Sequence, residues 1–243
     1  MKYILLLQPI KMKRLLFIAC TAVVLASCGD KKSSAKKLPL KSPKDTFSYA
    51  MGAIFGVNFN EEKITDINWD VFRSAMEEGM KNGNKNLLMD IQALGMYATN
   101  YQLEIKYGPN KKEGEEYIKK HKGEGYTERP SGILFKELKP GTGVKPTITD
   151  TVLVFYKGEL TDGKIFDSNM DRQPMKVPMN STRMMPGFME ALTLMTEGSE
   201  AKVIIPYELA YGKEGMQNPY SREGGIEGYE TLIFTLKMDS IKK

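Results

Sequence analysis

Thiol and imidazole chemistry are nearly absent from this chain, whose 243 residues include two cysteines and one histidine. Cys20 lies inside an apolar run and Cys28 follows it, so neither offers the paired spacing that a disulfide framework or a metal knuckle needs. His121 sits alone in a charged stretch, which excludes His-based metal clusters and Ser-His-Asp chemistry. No glycine-rich loop leads into a helix to cradle phosphate, and no nucleophile has a base at motif spacing. The longest apolar run, "LLFIACTAVVLA" from Leu15 to Ala26, is short for a membrane-spanning helix.

That run instead has the form of an export signal. Met12-Lys13-Arg14 supplies a basic start, the apolar run follows, and "LASC" (Leu25 to Cys28) ends on small residues before a cysteine. The pattern resembles the bacterial lipobox, which implies cleavage before Cys28 and lipidation of its side chain. Residues 1–27 then form a signal peptide. Removing them takes away four cations (Lys2, Lys11, Lys13, Arg14), so the net charge of +5 falls to +1. A nearly neutral mature chain gives no support for nucleic-acid binding. It also leaves no free thiol, because Cys20 departs and Cys28 carries the anchor. The expected location is the cell envelope, at the outer membrane on its periplasmic or surface face.

Residues 28–44, rich in Lys, Ser and Pro, read as a flexible tether. Residues 45–128 read as a helical domain with a linker helix. "DTFSYAMGAIFGVNF" mixes aromatic and small residues, and "NWDVFRSAMEEGMKN" repeats apolar positions at Phe72, Ala75, Met76, Gly79 and Met80 behind a candidate N-cap, Asn68. A third run continues through Leu94, Tyr97, Ala98 and Tyr101, and Gly108-Pro109 is expected to end it. The charged segment beyond reads as a solvated linker helix. Sixty apolar-rich residues bury poorly alone, so these helices are expected to pair two chains, with Ala50, Gly52, Ala53 and Gly56 allowing close approach and Phe55, Phe59 and Phe72 filling the shared core.

From residue 129 to 243 the apolar period changes from helical to two. Strands are expected at "GILFKEL", "TVLVFYKGEL", "KIFDS", "SEAKVIIP" and "TLIFTLKMDSI", the last alternating Leu232, Phe234, Leu236 and Met238. One helix interrupts them: "PGFMEALTLM" places Phe188, Ala191, Leu192 and Met195 on one face and Pro186 in its first turn. The expected fold is α+β, an antiparallel half-barrel sheet wrapped on one short helix and preceded by an all-α domain. Aromatics and methionines crowd the strand ends and loops of this half: Tyr156, Phe166, Met184, Met185, Phe188, Tyr211 and Phe234. Core packing accounts for Phe188 and Phe234 taken singly. Two phenols and a carboxylate, Asp167, among such side chains need polar partners and point to a site.

"SGILFKELKPGTG", "VFYKGELTDGKIFDS", "PGFMEALTLMTEGSEAKVIIPYELAYG" and "TLIFTLKMDSI" occur in the order of the FKBP family of peptidyl-prolyl isomerases, which residues 130–241 resemble. The first half resembles the helical domain of exported bacterial members of the macrophage-infectivity-potentiator type. The resemblance implies a pocket of Tyr156, Phe166, Asp167, Met175, Met184, Met185, Phe188, Ile226 and Phe234, with Tyr211 at its rim. Phe166 and Phe234 become walls and Phe188 the floor beneath a proline ring. The Met185 N–H and the Tyr211 hydroxyl receive substrate carbonyls, and Asp167 is steadied by Tyr156 and Arg172. Four departures stand out. The floor is Phe188 where the family has Trp, Met184-Met185 replace a Val-Ile pair, Met175 replaces an aromatic, and the loop after Tyr211 is longer.

The implied reaction rotates an Xaa–Pro amide over a barrier of about 18–20 kcal/mol without making a bond, so no cofactor and no metal are expected. The expected partners are proline-containing unfolded or exported polypeptides, a membrane through the lipid anchor, and a second copy of the chain; nucleic acid is not among them. Two readings stay open: an isomerase in which Asp167 faces the twisting amide, and a membrane-tethered chaperone or peptide-binding module on the same scaffold with little turnover.

Overall fold

The computed structural model describes residues 39–216 and 225–243. The signal peptide, most of the tether and Cys28 lie outside the described residues.

Three helices come first. α1 spans Pro43–Glu61, α2 spans Trp69–Asn82 and α3 spans Ile91–His121. α1 thus begins at Pro43, slightly ahead of the expected Asp45, because proline is well suited to a first turn. Asn68 caps α2 as expected, its side chain accepting from the Val71 N–H at 3.2 Å, and Asp90 caps α3 through two such bonds. Phe55, Phe59, Phe72 and Trp69 gather with ring centroids 5.9 to 6.2 Å apart. Even so, α1 and α2 bury no residue. Tyr49, Trp69 and Tyr97 are each more than 60% exposed, so the apolar side of these helices stands open.

Gly108-Pro109 does not end the third helix. α3 runs through Pro109 as one 31-residue element. Proline inside a helix loses one hydrogen bond and costs about 3 kcal/mol. Tertiary packing offsets that cost here. Beyond Pro109, Tyr117 and Ile118 pack on Leu134, Ile204 and Ile233 of the sheet, and Gly114 is buried against Thr231, where a Cβ would overlap the threonine hydroxyl. Glycine before the proline also removes the side chain that the proline ring would press upon. The charged stretch is therefore helical as expected, but one of its faces is covered by the sheet rather than solvated.

The rest is an antiparallel sheet with one helix. The strands are β1 (Thr127–Glu128), β2 (Leu134–Lys139), β3 (Thr151–Glu159), β4 (Ile165–Ser168), β5 (Met175–Pro178), β6 (Glu200–Ile205) and β7 (Leu232–Lys242). α4 (Pro186–Leu194) has proline in its first turn, and a 3₁₀ turn follows β6 at Tyr207–Leu209. The order across the sheet is β1-β2-β6-β7-β3-β4, with β5 also pairing β3. The five expected strands and the helix are all present; β1 and β5 are additions too short to show a period.

The core lies between α4 and the concave side of the sheet. Leu232, Phe234, Leu236 and Met238 of β7 all face it, as do Phe188, Ala191 and Leu192 of α4. Ile233, the residue that spoils the alternation, is only 1% exposed because α3 covers the opposite face.

Where α3 meets the sheet, Glu230 is half-buried, and this desolvation, reinforced by Glu227, Glu113 of α3 and Asp162, raises its pKa to about 7. The folded chain then keeps a proton between about pH 4.5 and 7 that the unfolded chain has released, so stability falls as pH rises through that window. Thermal melts at pH 4.5, 6 and 8 should show this loss in the native chain, and Glu230→Gln should flatten it.

Candidate active site

β3 shares one edge between two partners, and the site forms beside the gap. β4 pairs with the Lys157–Glu159 end and β5 with the Thr151–Val154 end. Asn169 fills the space between them. Its Oδ1 accepts from the Tyr156 N–H at 2.6 Å, and its Nδ2 donates to the Val154 and Gln173 carbonyls at 3.2 and 3.3 Å. At 8% exposure this amide completes backbone groups that no strand reaches.

The β3–β4 turn carries Phe166 and Asp167 back alongside β3. There the Tyr156 hydroxyl donates to Asp167 Oδ2 at 2.6 Å, a short charge-assisted bond. Burial, and next the bond to Asp167, push the Tyr156 phenol far above its usual pKa, so it remains a donor at any physiological pH. Asp167 itself lies at the exposed mouth. Across the pocket, burial and the Asp167 charge also raise the Tyr211 pKa.

Aromatic rings build the interior. Phe234 meets Phe188 at 5.2 Å and 81°, and Phe166 at 5.6 Å and 85°, both edge-to-face. Tyr156 stands at 90° to Phe188 with centroids 6.2 Å apart. Gly158 permits this packing, since a Cβ there would overlap the Phe166 ring. Phe188 is fully buried at the base, and Met175, Met184 and Met185 complete the lining. Met185 is the N-cap residue of α4, placing it where backbone N–H groups lack helical partners.

Nine of the residues expected from the sequence thus line one concavity: Tyr156, Phe166, Asp167, Met175, Met184, Met185, Phe188, Tyr211 and Phe234. Two others, Ile226 and Arg172, are not among the side chains that line it. Ile226 is 3% exposed and belongs to the core, where it forms a two-bond bridge with Met216. Arg172 is exposed and lies 3.9 Å from Asp171, acting on Tyr156 only through its charge. Asn169 and Gly158 did not emerge from sequence reasoning. Gly158, a glycine inside a strand, carried a signal of close approach, whereas Asn169 carried none. Among the described residues there is no cluster of side chains suited to a metal ion.

Residues 143–239 match the family model described as FKBP-type peptidyl-prolyl cis-trans isomerase, and residues 44–136 match that of the domain amino terminal to it. The chain is 36% identical over 213 residues to the outer membrane protein MIP of Legionella longbeachae, covering 84% of this chain and 88% of that protein. It is 32% identical over 240 residues to the FKBP-type peptidyl-prolyl cis-trans isomerase FkpA of Aeromonas hydrophila, covering 93% and 86%. The crystal structure of FkpA from Escherichia coli is similar with a TM-score of 0.51 and 27% identity, over 84% of this chain and 99% of that one.

The packing separates stability from exposure. Phe234→Ala, removing a ring that three aromatic neighbours share, should cost about 3–5 kcal/mol in urea denaturation. Asp167→Ala, at the open mouth, should leave the urea midpoint almost unchanged.

Proposed function

The chain belongs to the FKBP-type peptidyl-prolyl cis-trans isomerases, and on that premise we propose how its pocket accelerates the reaction and where in the envelope it acts. An Xaa–Pro amide isomerises in roughly 10–100 s because rotation breaks amide resonance. A 10⁴- to 10⁵-fold acceleration needs about 5.5–7 kcal/mol of preferential binding to the twisted form. The observation that carries the proposal is an aromatic-walled pocket with one phenol-held carboxylate at its mouth.

The proline ring enters over Phe188, between Phe166 and Phe234. Excluding water penalises the planar amide more, because its oxygen carries more charge than that of the twisted amide. The Met185 N–H and the Tyr211 hydroxyl hold the substrate carbonyls, so the rotation occurs against fixed points. Asp167 presents a polar edge to the amide and transfers no proton; Tyr156 keeps the carboxylate oriented. Methionines at 175, 184 and 185 adapt to varied side chains before the proline. The clients are unfolded or exported polypeptides, whose folding the isomerase assists.

Two features beyond the pocket complete the proposal. Cys28, acylated, anchors the mature chain to the envelope membrane through its tether, a reading supported by the lipobox-like sequence and by similarity to a protein named for the outer membrane. Among the described residues no helix is long and apolar enough to cross a membrane. The open apolar sides of α1, α2 and the first part of α3 suit pairing with a second copy. Two pockets on one dimer raise the effective concentration for a long client.

The 28–243 fragment should accelerate Xaa–Pro isomerisation, with a preference for a bulky apolar residue before proline. Asp167→Ala and Tyr156→Phe should each lower kcat/KM about 10- to 1,000-fold with the fold intact. Uncatalysed rates for every peptide would favour a binding module instead. Membrane fractionation and sedimentation equilibrium check the rest: Cys28→Ser should move the chain into the soluble fraction, and the 28–243 fragment should sediment as a dimer.

A further inference from the structure

We propose that Asn110 and Glu113, one helical turn apart on α3, are positioning residues for the isomerase pocket, each holding one of the two chain segments that lead into it. The inference rests on the isomerase reading above and concerns a face of α3 that takes no part in the pocket.

The first segment is the β3–β4 turn. The Thr161 hydroxyl donates to Glu113 Oε1 at 2.7 Å. Thr161 lies in the loop closed by the Leu160 N–H on the Lys164 carbonyl, and β4 with Phe166 and Asp167 starts directly after it. β4 is a four-residue strand at the end of the sheet order, with β3 as its neighbour. The β3 ladder, the Tyr156–Asp167 bond and the Phe166–Phe234 contact hold β4 from within, and Glu113 adds a contact from outside the sheet to the turn that carries Phe166 and Asp167 into place.

The second segment is Glu227–Tyr229. Asn110 Nδ2 donates to the Gly228 carbonyl at 3.1 Å and to Glu227 Oε2 at 3.3 Å. Tyr229 next to it holds a φ of 61°, a conformation that a non-glycine residue keeps only when its surroundings enforce it. The Tyr229 N–H donates to the Gly212 carbonyl at 3.0 Å, and the Gly212 N–H donates to the Tyr207 carbonyl at 2.9 Å. The Tyr229 ring packs on the Tyr207 ring with centroids 4.8 Å apart. The turn that carries Tyr211 is therefore clamped at both ends by a segment that Asn110 secures.

Asn110 and Glu113 occupy positions i and i+3, so one helical face addresses both arms at once. Gly114, in contact with Thr231, sets the close approach that brings them into range. Catalysis by orientation is sensitive to small displacements of the groups that meet the substrate. The arms carry the polar groups at the amide, Asp167 and Tyr211, while Met175, Met184, Met185, Phe188 and Phe234 of the apolar lining lie outside them. Loosening the arms then affects the rate of rotation more than ground-state binding.

The test uses the full-length chain and protease-free kinetics on an Xaa–Pro peptide. Asn110→Ala and Glu113→Ala should each lower kcat about 3- to 10-fold with KM changed less than twofold, by the usual weight of one hydrogen bond. Glu113→Gln, which keeps an acceptor for Thr161, should restore kcat. Lys119→Ala on the exposed side should match the native chain. Amide NMR shifts of Phe166, Asp167 and Gly212 should move in the alanine variants and return in Glu113→Gln. Unchanged kcat in both alanine variants overturns the proposal, as does a loss that tracks thermal midpoint alone and that Glu113→Gln fails to restore. A native chain without turnover overturns the isomerase reading itself, and this inference with it.

Discussion

Strand β7 is buried along its inward face and, at Ile233, on its outward face as well, and much of the molecule is arranged by that constraint. Its inward residues, Leu232, Phe234, Leu236 and Met238, meet α4 and the core; its outward Ile233 meets α3. Where a strand buries an apolar residue on each side, a layer must lie over both. One layer supplies the floor of the pocket through Phe188. The other pins the long helix to the back of the same sheet. Phe234, in contact with Tyr156, Phe166 and Phe188, marks where the pocket wall and the core become one structure.

The pocket suits the chemistry proposed for it. A rotation that forms no bond needs shape, dryness and a few fixed dipoles rather than a nucleophile. The polar groups are accordingly few and well held. Tyr156 is oriented through its backbone by Asn169 and through its hydroxyl by Asp167, so a single residue joins the sheet to the mouth of the site. Splitting the β3 edge between β4 and β5 leaves backbone groups that must be satisfied, and the Asn169 side chain satisfies them within the protein.

α3 is a helix with two environments. Its first half leaves Met96, Tyr97 and Tyr101 exposed, whereas its second half packs Tyr117 and Ile118 against the sheet. The helix survives Pro109 because the later contacts outweigh one missing hydrogen bond. Its continuity carries Asn110 and Glu113 into contact with the segments flanking the pocket.

Elements whose own composition demands them are legible in the sequence. Alternation in residues 232–238, the apolar stripe of α4 behind Pro186, the cap at Asn68 and the first-turn proline at Pro186 are local signals, and each element formed where its signal lay. The FKBP-like motifs brought Tyr156, Phe166, Asp167, Tyr211 and Phe234 together on paper, and nine expected residues share one concavity in space. What covers each face depends on contacts between residues far apart in the chain. Ile226 bridges Met216 in the same buried cluster as Phe188 and Phe234, and Arg172 lies exposed beside Asp171. Asn169 acquired its role from a gap between strands, and a helix with a proline in it stayed whole. Periodicity reports which side of an element avoids water; which surface comes to cover that side depends on residues distant in sequence, and their contacts exist only once the chain has closed around them.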